Sequence, residues 1–379
     1  MHKSGVVTTY SAVVTTGIYC RPGCRAKPLA ENVRTFGHAA SAEAAGFRAC
    51  LRCRPYRVAS PIAAGEPELL CRAVQLIIDG LLDSGTETSL GARLAVSPRH
   101  LRRIFAGRLG VTPDQLARSR RAHFARRLLD DTDLTVGDVA FASGFGSLRQ
   151  FNRAMRDVFR ASPTDLRDRR RRADRLAADG GLALRLPVSD GYEWDAVRSF
   201  LTARAVPGVE SVDGDTYRRT ITMAGAPGLL EITGADRGWL LLRAHLPYWE
   251  GLIHVVDRVS RVLGTDADHS VGVATPLGLV VPGAWNAFEL GVWTILAGRP
   301  DLLEAFVTGL GAPVPGLPGT LNRTFPHPAD VTPQRLAAAG LPGTEAAAIT
   351  ALASGGDLGT RLQPWLALAA THLMRTALT

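Results

Sequence analysis

Four cysteines fall in two close pairs, Cys20-x3-Cys24 within TTGIYCRPGC and Cys50-x2-Cys53 within CLRC, with 25 residues between the pairs. Two such pairs supply four thiolates at the spacing a tetrahedral zinc ion takes. The segment that carries them, residues 1–57, is too short to bury a large apolar core, so a metal is a natural staple for it. VVTTYSAVVTTGIYC alternates β-branched and small residues and predicts strands. AEAAGF predicts a short helix closed by Gly46. Spacing alone leaves two roles open for the cysteines: a staple with no chemistry, or a site with a reactive sulfur.

A chain of 379 residues, 46% hydrophobic and 21% charged, suits two or three globular domains. No apolar run approaches the roughly 18 residues of a membrane span. The first residues lack the basic-then-apolar pattern of a secretory leader. The expectation is a cytoplasmic, nucleoid-associated protein with no membrane partner and no structural disulfides. Cys71 lies in LLCRAVQLII and reads as helix core. The net charge of +9 is uneven: +7 over residues 1–60, +7 over 61–175 and −5 over the rest. The basic footprint of a polyanion binder therefore lies in the first half.

After a Pro/Gly-rich linker, RVASPIAAGEP, residues 66–165 carry apolar positions at helical spacing throughout. SLGARLAVSPRHLRRIFAGRLG reads as helix, turn and second helix, with Ser97 as N-cap and Pro98 at the first helical position. Leu101, Ile104, Phe105 and Leu109 make its buried stripe, and Arg99, His100, Arg102 and Arg103 project elsewhere. LTVGDVAFASGFGSLRQFNRAMRDVF repeats the plan. There Gly144 suits the turn, Ser147 caps, and Leu148, Phe151, Met155 and Phe159 face inward. Arg149, Gln150, Asn152, Arg153 and Arg156 point out. Such side chains read base edges when a recognition helix enters the major groove, so double-stranded DNA is the expected partner. The charge run LRDRRRRADR that follows is either a solvated helix end or a phosphate-contacting tail.

From residue 182 the pattern changes. LALRLPV, YRRTITMAG, GLLEITGA and GWLLLRAHL read as strands, followed by helices near 254–263, 284–297, 301–310 and across 328–379. The expected fold is multidomain: a small zinc-bound α/β domain (1–57), an all-α double helix-turn-helix domain (66–170) and an α+β domain (182–379).

The run from Thr15 to Lys27, with Glu31-Asn32-Val33 and the stretch from Ala44 to Pro55, resembles the N-terminal domain of the Ada family across most of residues 8–55. That family moves the methyl group of a DNA methylphosphotriester irreversibly onto a zinc-bound cysteine. The resemblance implies that Cys20 is the acceptor and that Cys20, Cys24, Cys50 and Cys53 bind Zn²⁺. The chemistry is physically sound. Four thiolates on Zn²⁺ leave the site formally with two negative charges, which keeps sulfur nucleophilic. Methylation turns one thiolate into a neutral thioether and weakens repulsion from the DNA backbone, so alkylation becomes a gain in DNA affinity. Arg21, Arg25, Lys27, Arg48, Arg52 and Arg54 surround the motif as candidate phosphate contacts.

Residues 68–170 resemble the AraC-type DNA-binding domain, most closely in VAFASGFGSLRQFNRAMRDVFRASPTDLR. The pairing of the two domains implies a transcriptional activator in which repair licenses promoter binding, with RNA polymerase as a partner. LRLPVSDGYEWDAVRSF and LGLVVPGAWNAFELGVWTILAGR resemble the AlkA-type 3-methyladenine DNA glycosylases. A working member needs a Gly-containing helical hairpin and a downstream catalytic Asp. GDLGTRLQPWLALAATHLMRTALT has Pro364-Trp365 where the hairpin would turn, with no such Asp after it. A truncated, non-catalytic relative is expected, in keeping with the acidic charge of this half. Trp239, Trp249, Trp285, Phe288 and Trp293 line either a former pocket or the core. Two other functions stay open. One is a transcription factor sensing a small electrophile or ligand, at Cys20 or in the AlkA-like pocket. The other is an active alkylbase glycosylase.

Overall fold

In the computed structural model, β1 (Tyr10–Val13) and β2 (Ile18–Cys20) form an antiparallel hairpin, and β3 (Val33–Phe36) pairs antiparallel with the other edge of β1. The helix α1 (Ala39–Ala44) follows, closed by Gly46 at a left-handed φ of +91°. Phe47 N–H reaches back to the Ala42 carbonyl at 3.0 Å, which turns the chain into β4 (Arg48–Ala49). β4 lies parallel to β2, giving the order β3-β1-β2-β4. The structure describes residues 9–26, 28–57, 67–171, 174–177, 180–188, 192–234, 238–265, 284–296 and 298–355. Lys27 and the Pro364-Trp365 stretch lie outside them. The chain divides into two compact units, one holding the residues up to Ala177 with Trp249–Asp257, the other holding most of the remainder.

The helices of the first unit are α2 (Glu68–Ile78), α3 (Leu81–Ser84), α4 (Glu87–Arg93), α5 (Pro98–Arg108), α6 (Pro113–Asp131), α7 (Val136–Ala142), α8 (Leu148–Phe159) and α9 (Pro163–Asp168). Helix-turn-helix pairs α4–α5 and α7–α8 are written by caps. Ser97 Oγ accepts from His100 N–H at 3.2 Å, and Ser147 Oγ accepts from Gln150 N–H at 3.3 Å. Each satisfies an amide that the first helical turn would leave unpaired. The second turn passes through Gly144 at φ +80°, where glycine costs nothing, whereas the first uses Ala95 at φ +56°. That left-handed alanine costs on the order of 1 kcal/mol. Leu101, Phe105 and Leu109 are buried as their spacing requires, as are Phe151, Met155 and Phe159. Leu148 does not join them: it is 45% exposed. It opens α8 directly after the cap, a position where no preceding turn exists to cover it.

The long α6 is the spine of this unit and packs against α1, α2, α3, α5, α7, α8 and α9. Its C-terminal end is an ionic knot. Asp130, fully buried, lies 2.8 Å from Arg126 and 3.2 Å from Arg57, and accepts the Tyr56 hydroxyl at 3.1 Å. Arg57 also bonds Asp131 at 2.9 Å, and Arg54 bonds Asp174 at 2.7 Å. The residues that follow Cys53 are thereby tied to α6. Burial alone would raise the Asp174 carboxyl, but the Arg54 hydrogen bond, the Arg171 N–H and the neighbouring guanidinium charges lower it to about 2. With the folded value depressed, its contribution is complete above the ordinary carboxylate range near 4 and is lost as pH falls through about 2. Asp174→Asn is expected to lower the melting temperature at pH 7, with the gap to the unsubstituted protein closing as pH drops toward 2. A gap that stays constant with pH would refute the pairing.

In the second unit, β5 (Leu182–Pro187), β6 (Glu210–Asp213), β7 (Thr216–Met223), β8 (Ala226–Gly234) and β9 (Trp239–His245) form an antiparallel sheet of order β5-β9-β8-β7-β6. Their alternation places Leu184, Leu186, Leu230, Ile232, Leu240 and Leu242 inward. Helix α10 (Trp194–Arg204) joins β5 to β6, and α11 (Leu252–Leu263) follows β9, its residues through Asp257 counting with the first unit. Then come α12 (Ala287–Ile295), α13 (Pro300–Leu310), α14 (Pro333–Ala338) and α15 (Gly343–Ala353), around a core that includes Val292, Phe306, Leu336 and Ile349. Sheet and α12 are pinned by a buried charge bridge: Arg219 bonds Glu210 and Glu289 at 2.5 Å each. The Arg219 guanidinium also stands 5.0 Å above the Trp285 ring. Trp285 is buried, and Phe288 and Trp293 pack against the helical core. These three aromatic residues serve packing.

Candidate metal centre and DNA-binding surface

Sheet topology explains how the cysteines meet. β2 ends on Cys20, and β4 ends on Ala49, one residue before Cys50. The strands are parallel, with Tyr19 opposite Ala49, and Cys50 N–H bonds the Tyr19 carbonyl at 2.9 Å. Both therefore leave the same edge of the sheet. The C-x3-C and C-x2-C turns then lie side by side, and all four Sγ atoms fall within 4.8 Å of one another. A tetrahedral site with zinc–sulfur bonds of about 2.3 Å needs sulfurs roughly 3.8 Å apart, so a small inward shift closes this set on zinc. Cys20 and Cys50 are buried, and Cys24 and Cys53 half-buried. These are four cysteines positioned to bind a metal ion, in agreement with the expected Zn²⁺.

The sulfurs also compete for protons. A hydrogen bond between Cys20 and Cys53 lowers the Cys53 thiol to about 5 and pushes the Cys20 thiol far above its ordinary range. Burial and the neighbouring sulfurs push Cys20 further the same way. Such a cluster favours a cation, whose charge releases these protons.

Around the cluster, Arg21, Arg25 and Arg52 are exposed, and Arg48 is half-buried with its guanidinium 3.4 Å from the Ala49 carbonyl. Arg21 Nε donates to the Cys53 carbonyl at 3.1 Å and so braces one cysteine turn against the other. Arg54 departs from the phosphate-contact expectation. It adopts a left-handed φ of +50° and turns into the ionic knot, where Asp174 and Asp130 use its charge.

On the helix-turn-helix pairs, Arg99, Arg102, Arg103, Arg149, Gln150, Arg153 and Arg156 are exposed, and His100 and Asn152 half-buried. Arg102 pairs with the buried Glu87, and Arg103 lies 3.0 Å from His100 Nδ1. Asn152 donates to its own helix at the Leu148 carbonyl, 2.8 Å away. Arg153 has only a loose 3.9 Å pair with Asp157 and is 82% exposed. Sequence reasoning missed Tyr19, Glu43, His123 and Asp130. Each acquires its role from a partner distant in the chain, for which the sequence carries no local signal.

The fold and the site define a chain that joins a cysteine metal-binding domain to paired helix-turn-helix units and an α+β module. Three family models match it: the metal binding domain of Ada over residues 7–56, a helix-turn-helix domain over 90–169, and the AlkA N-terminal domain over 183–286. A Mycobacterium tuberculosis protein named "Probable bifunctional transcriptional activator/DNA repair enzyme AlkA" is 37% identical over 357 residues, covering 86% of this chain and 71% of the relative. Escherichia coli Ada, a "Bifunctional transcriptional activator/DNA repair enzyme", is 40% identical over 123 residues, 31% of this chain and 32% of its own length. Bacillus subtilis AdaA, named likewise, is 31% identical over 143 residues, 38% of this chain and 66% of its own. The chain belongs to the AlkA family of bifunctional transcriptional activator/DNA repair enzymes, with an Ada-type zinc domain and an AraC-type helix-turn-helix domain. DNA is its partner. Among the described residues, no helix is long and apolar enough to cross a membrane.

Proposed function

We propose that this protein is an alkylation-response regulator that removes the methyl group of a DNA methylphosphotriester onto Cys20. The observation that carries the reading is the gathering of four cysteine sulfurs within 4.8 Å at one sheet edge, in the same unit as two helix-turn-helix pairs. Cys20, Cys24, Cys50 and Cys53 would hold the zinc. When bound, zinc keeps the four sulfurs deprotonated at neutral pH. A lone pair on Cys20 Sγ attacks the methyl carbon of the triester. The new S–C bond forms as the C–O bond breaks, and the oxygen leaves with the electron pair as an ordinary phosphodiester. The triester is neutral, so its approach to a negative site is not opposed as a phosphate's would be. Arg21, Arg25, Lys27, Arg48 and Arg52 hold flanking phosphates. The acceptor is consumed, so the protein is a reagent rather than a catalyst.

Methylation removes one negative charge from the site and raises affinity for the promoter, which the exposed face of α5 and α8 reads. Residues 1–57, 66–170 and 182–379 act as acceptor, DNA-binding and regulatory modules. The last is non-catalytic, RNA polymerase is the downstream partner, and the protein works in the cytoplasm on the nucleoid. In the DNA-binding module, Arg149→Ala and Arg153→Ala are each expected to weaken binding to a preferred duplex by about 1–3 kcal/mol if they read bases. Competition against scrambled duplexes checks this. An equal loss on every duplex would reassign them to phosphate contacts.

Incubation with a duplex carrying one methylphosphotriester, followed by intact-mass analysis, tests the reaction. A gain of one methyl on the peptide containing Cys20 is expected. Labelling of Cys20 by a small alkylating agent but never by the duplex would replace repair with electrophile sensing.

A further inference from the structure

The residue before the acceptor cysteine is engaged by the DNA-binding spine. Tyr19 is fully buried, and its hydroxyl donates to Glu43 Oε1 at 2.6 Å. The same oxygen lies 2.6 Å from His123 Nε2, which is itself 3.2 Å from the Tyr19 hydroxyl. Glu43 belongs to α1 of the zinc domain, and His123 to α6, 80 residues further on. Glu43 Oε2 is buried with no hydrogen-bond partner, so the whole polar commitment of this carboxylate rests on one oxygen shared by Tyr19 and His123. A buried carboxylate so used is sensitive to small displacements of either partner.

His123 also reaches the residues that follow the second cysteine turn. Its ring packs 6.4 Å from that of Tyr56, three residues past Cys53, and 5.9 Å from Phe159 at the end of α8. Tyr56 and Phe159 meet edge-on at 5.8 Å. An aromatic residue near each cysteine pair thus meets one imidazole: Tyr19, next to Cys20, and Tyr56, three residues past Cys53. Any change in how Cys20 stands relative to Cys53 alters the fit of Tyr19 and Tyr56 about His123. The helix carrying His123 packs on both helix-turn-helix pairs.

We propose that Glu43 and His123 are positioning residues for the acceptor: through Tyr19 they fix where Cys20 stands, and through α6 they carry a change at Cys20 to the DNA-binding helices. This rests on the reading of Cys20 as methyl acceptor. It adds a packed route to the electrostatic one. Linkage makes the route reciprocal, so DNA bound by α5 and α8 also biases the cysteine site.

The test uses the full chain, zinc-loaded and labelled with ¹⁵N in histidine, with Cys20 methylated by methyl iodide. There the sulfur displaces iodide, which leaves with the electron pair of the C–I bond, and no DNA is needed. Cys20→Ala, treated alike, reports any methylation elsewhere. The His123 Nε2 resonance is expected to move on methylation of Cys20 and to move less in Glu43→Ala, where Tyr19 and His123 lose the carboxylate oxygen they share. A resonance unmoved in the unsubstituted protein overturns the proposal.

Affinity for a duplex selected from a random pool supplies the second readout. The rise on methylation is expected to shrink at least threefold in His123→Leu and to be recovered in His123→Gln, which keeps a donor. A full rise in zinc-loaded His123→Leu overturns the proposal too. A triester duplex that leaves Cys20 unmodified sinks the repair reading instead, and the ring resonance still decides this one.

Discussion

Cys20→Ala is expected to abolish methyl uptake from a methylphosphotriester duplex, from one methyl per chain to none, while raising DNA affinity. The two effects have separate causes. Uptake fails because the attacking sulfur is gone. Affinity rises because three thiolates on zinc carry one negative charge fewer than four, which is the charge of the methylated site. One unit charge about 4 Å from a phosphate is worth about 1 kcal/mol in water, or on the order of fivefold in affinity. The gain shrinks with added salt, because the site is close to solvent. Intact mass reports the first effect, and duplex titration at low and high salt reports the second. Cys20→Ala binding DNA no better than the unmethylated protein would show that the switch is not electrostatic. The same change at Cys24, Cys50 or Cys53 removes a ligand without removing the acceptor, and methyl uptake then depends on whether zinc is retained.

Asp130→Ala carries the largest expected loss of stability. Asp130 has no solvent exposure and faces Arg57, Arg126 and the Tyr56 hydroxyl, with Arg54 at 3.8 Å. Removing one partner of a buried ionic group leaves the others uncompensated and costs about 3–5 kcal/mol. The loss falls on the seam between the cysteine turn and α6. Thermal unfolding checks it, with Asp133→Ala as control. Asp133 pairs with Arg170 and Arg175 but is 49% exposed, and its removal is expected to cost about 0–1 kcal/mol. Equal melting temperatures for the two variants would refute the role given to Asp130.

Features written within a few residues were legible in the sequence. The cysteine pairs, the caps Ser97 and Ser147, the turn at Gly144 and the strand alternation of the second half each depend on near neighbours. Leu148 misled because helical periodicity assumes a covered face, and the first residue of α8 has none. Arg54 misled because basic charge beside a DNA-facing motif suggests phosphate, whereas its carboxylate partner Asp174 lies 120 residues on. Distance along the chain also hid Glu43 from His123, and Arg219 from Glu289, 70 residues apart. No spacing rule joins such residues. The fold supplies the contact, and the sequence shows only a charged or polar side chain.

The parallel pairing of β2 with β4 imposes an order of assembly on the growing chain. The first cysteine pair leaves the ribosome early but has no lasting place for a metal until α1 has crossed over and β4 has added to the sheet edge. All of α2 to α9 lie C-terminal to this segment and emerge after it. Domains fold as units during synthesis, N-terminal first. A metal can therefore be taken up before the DNA-binding helices have emerged. The finished cysteine domain, with Tyr56 and Arg57 already presented, becomes the surface on which α6 condenses. A chain that emerges where zinc is scarce would lack the closed cysteine site and, with it, a template for its DNA-binding half.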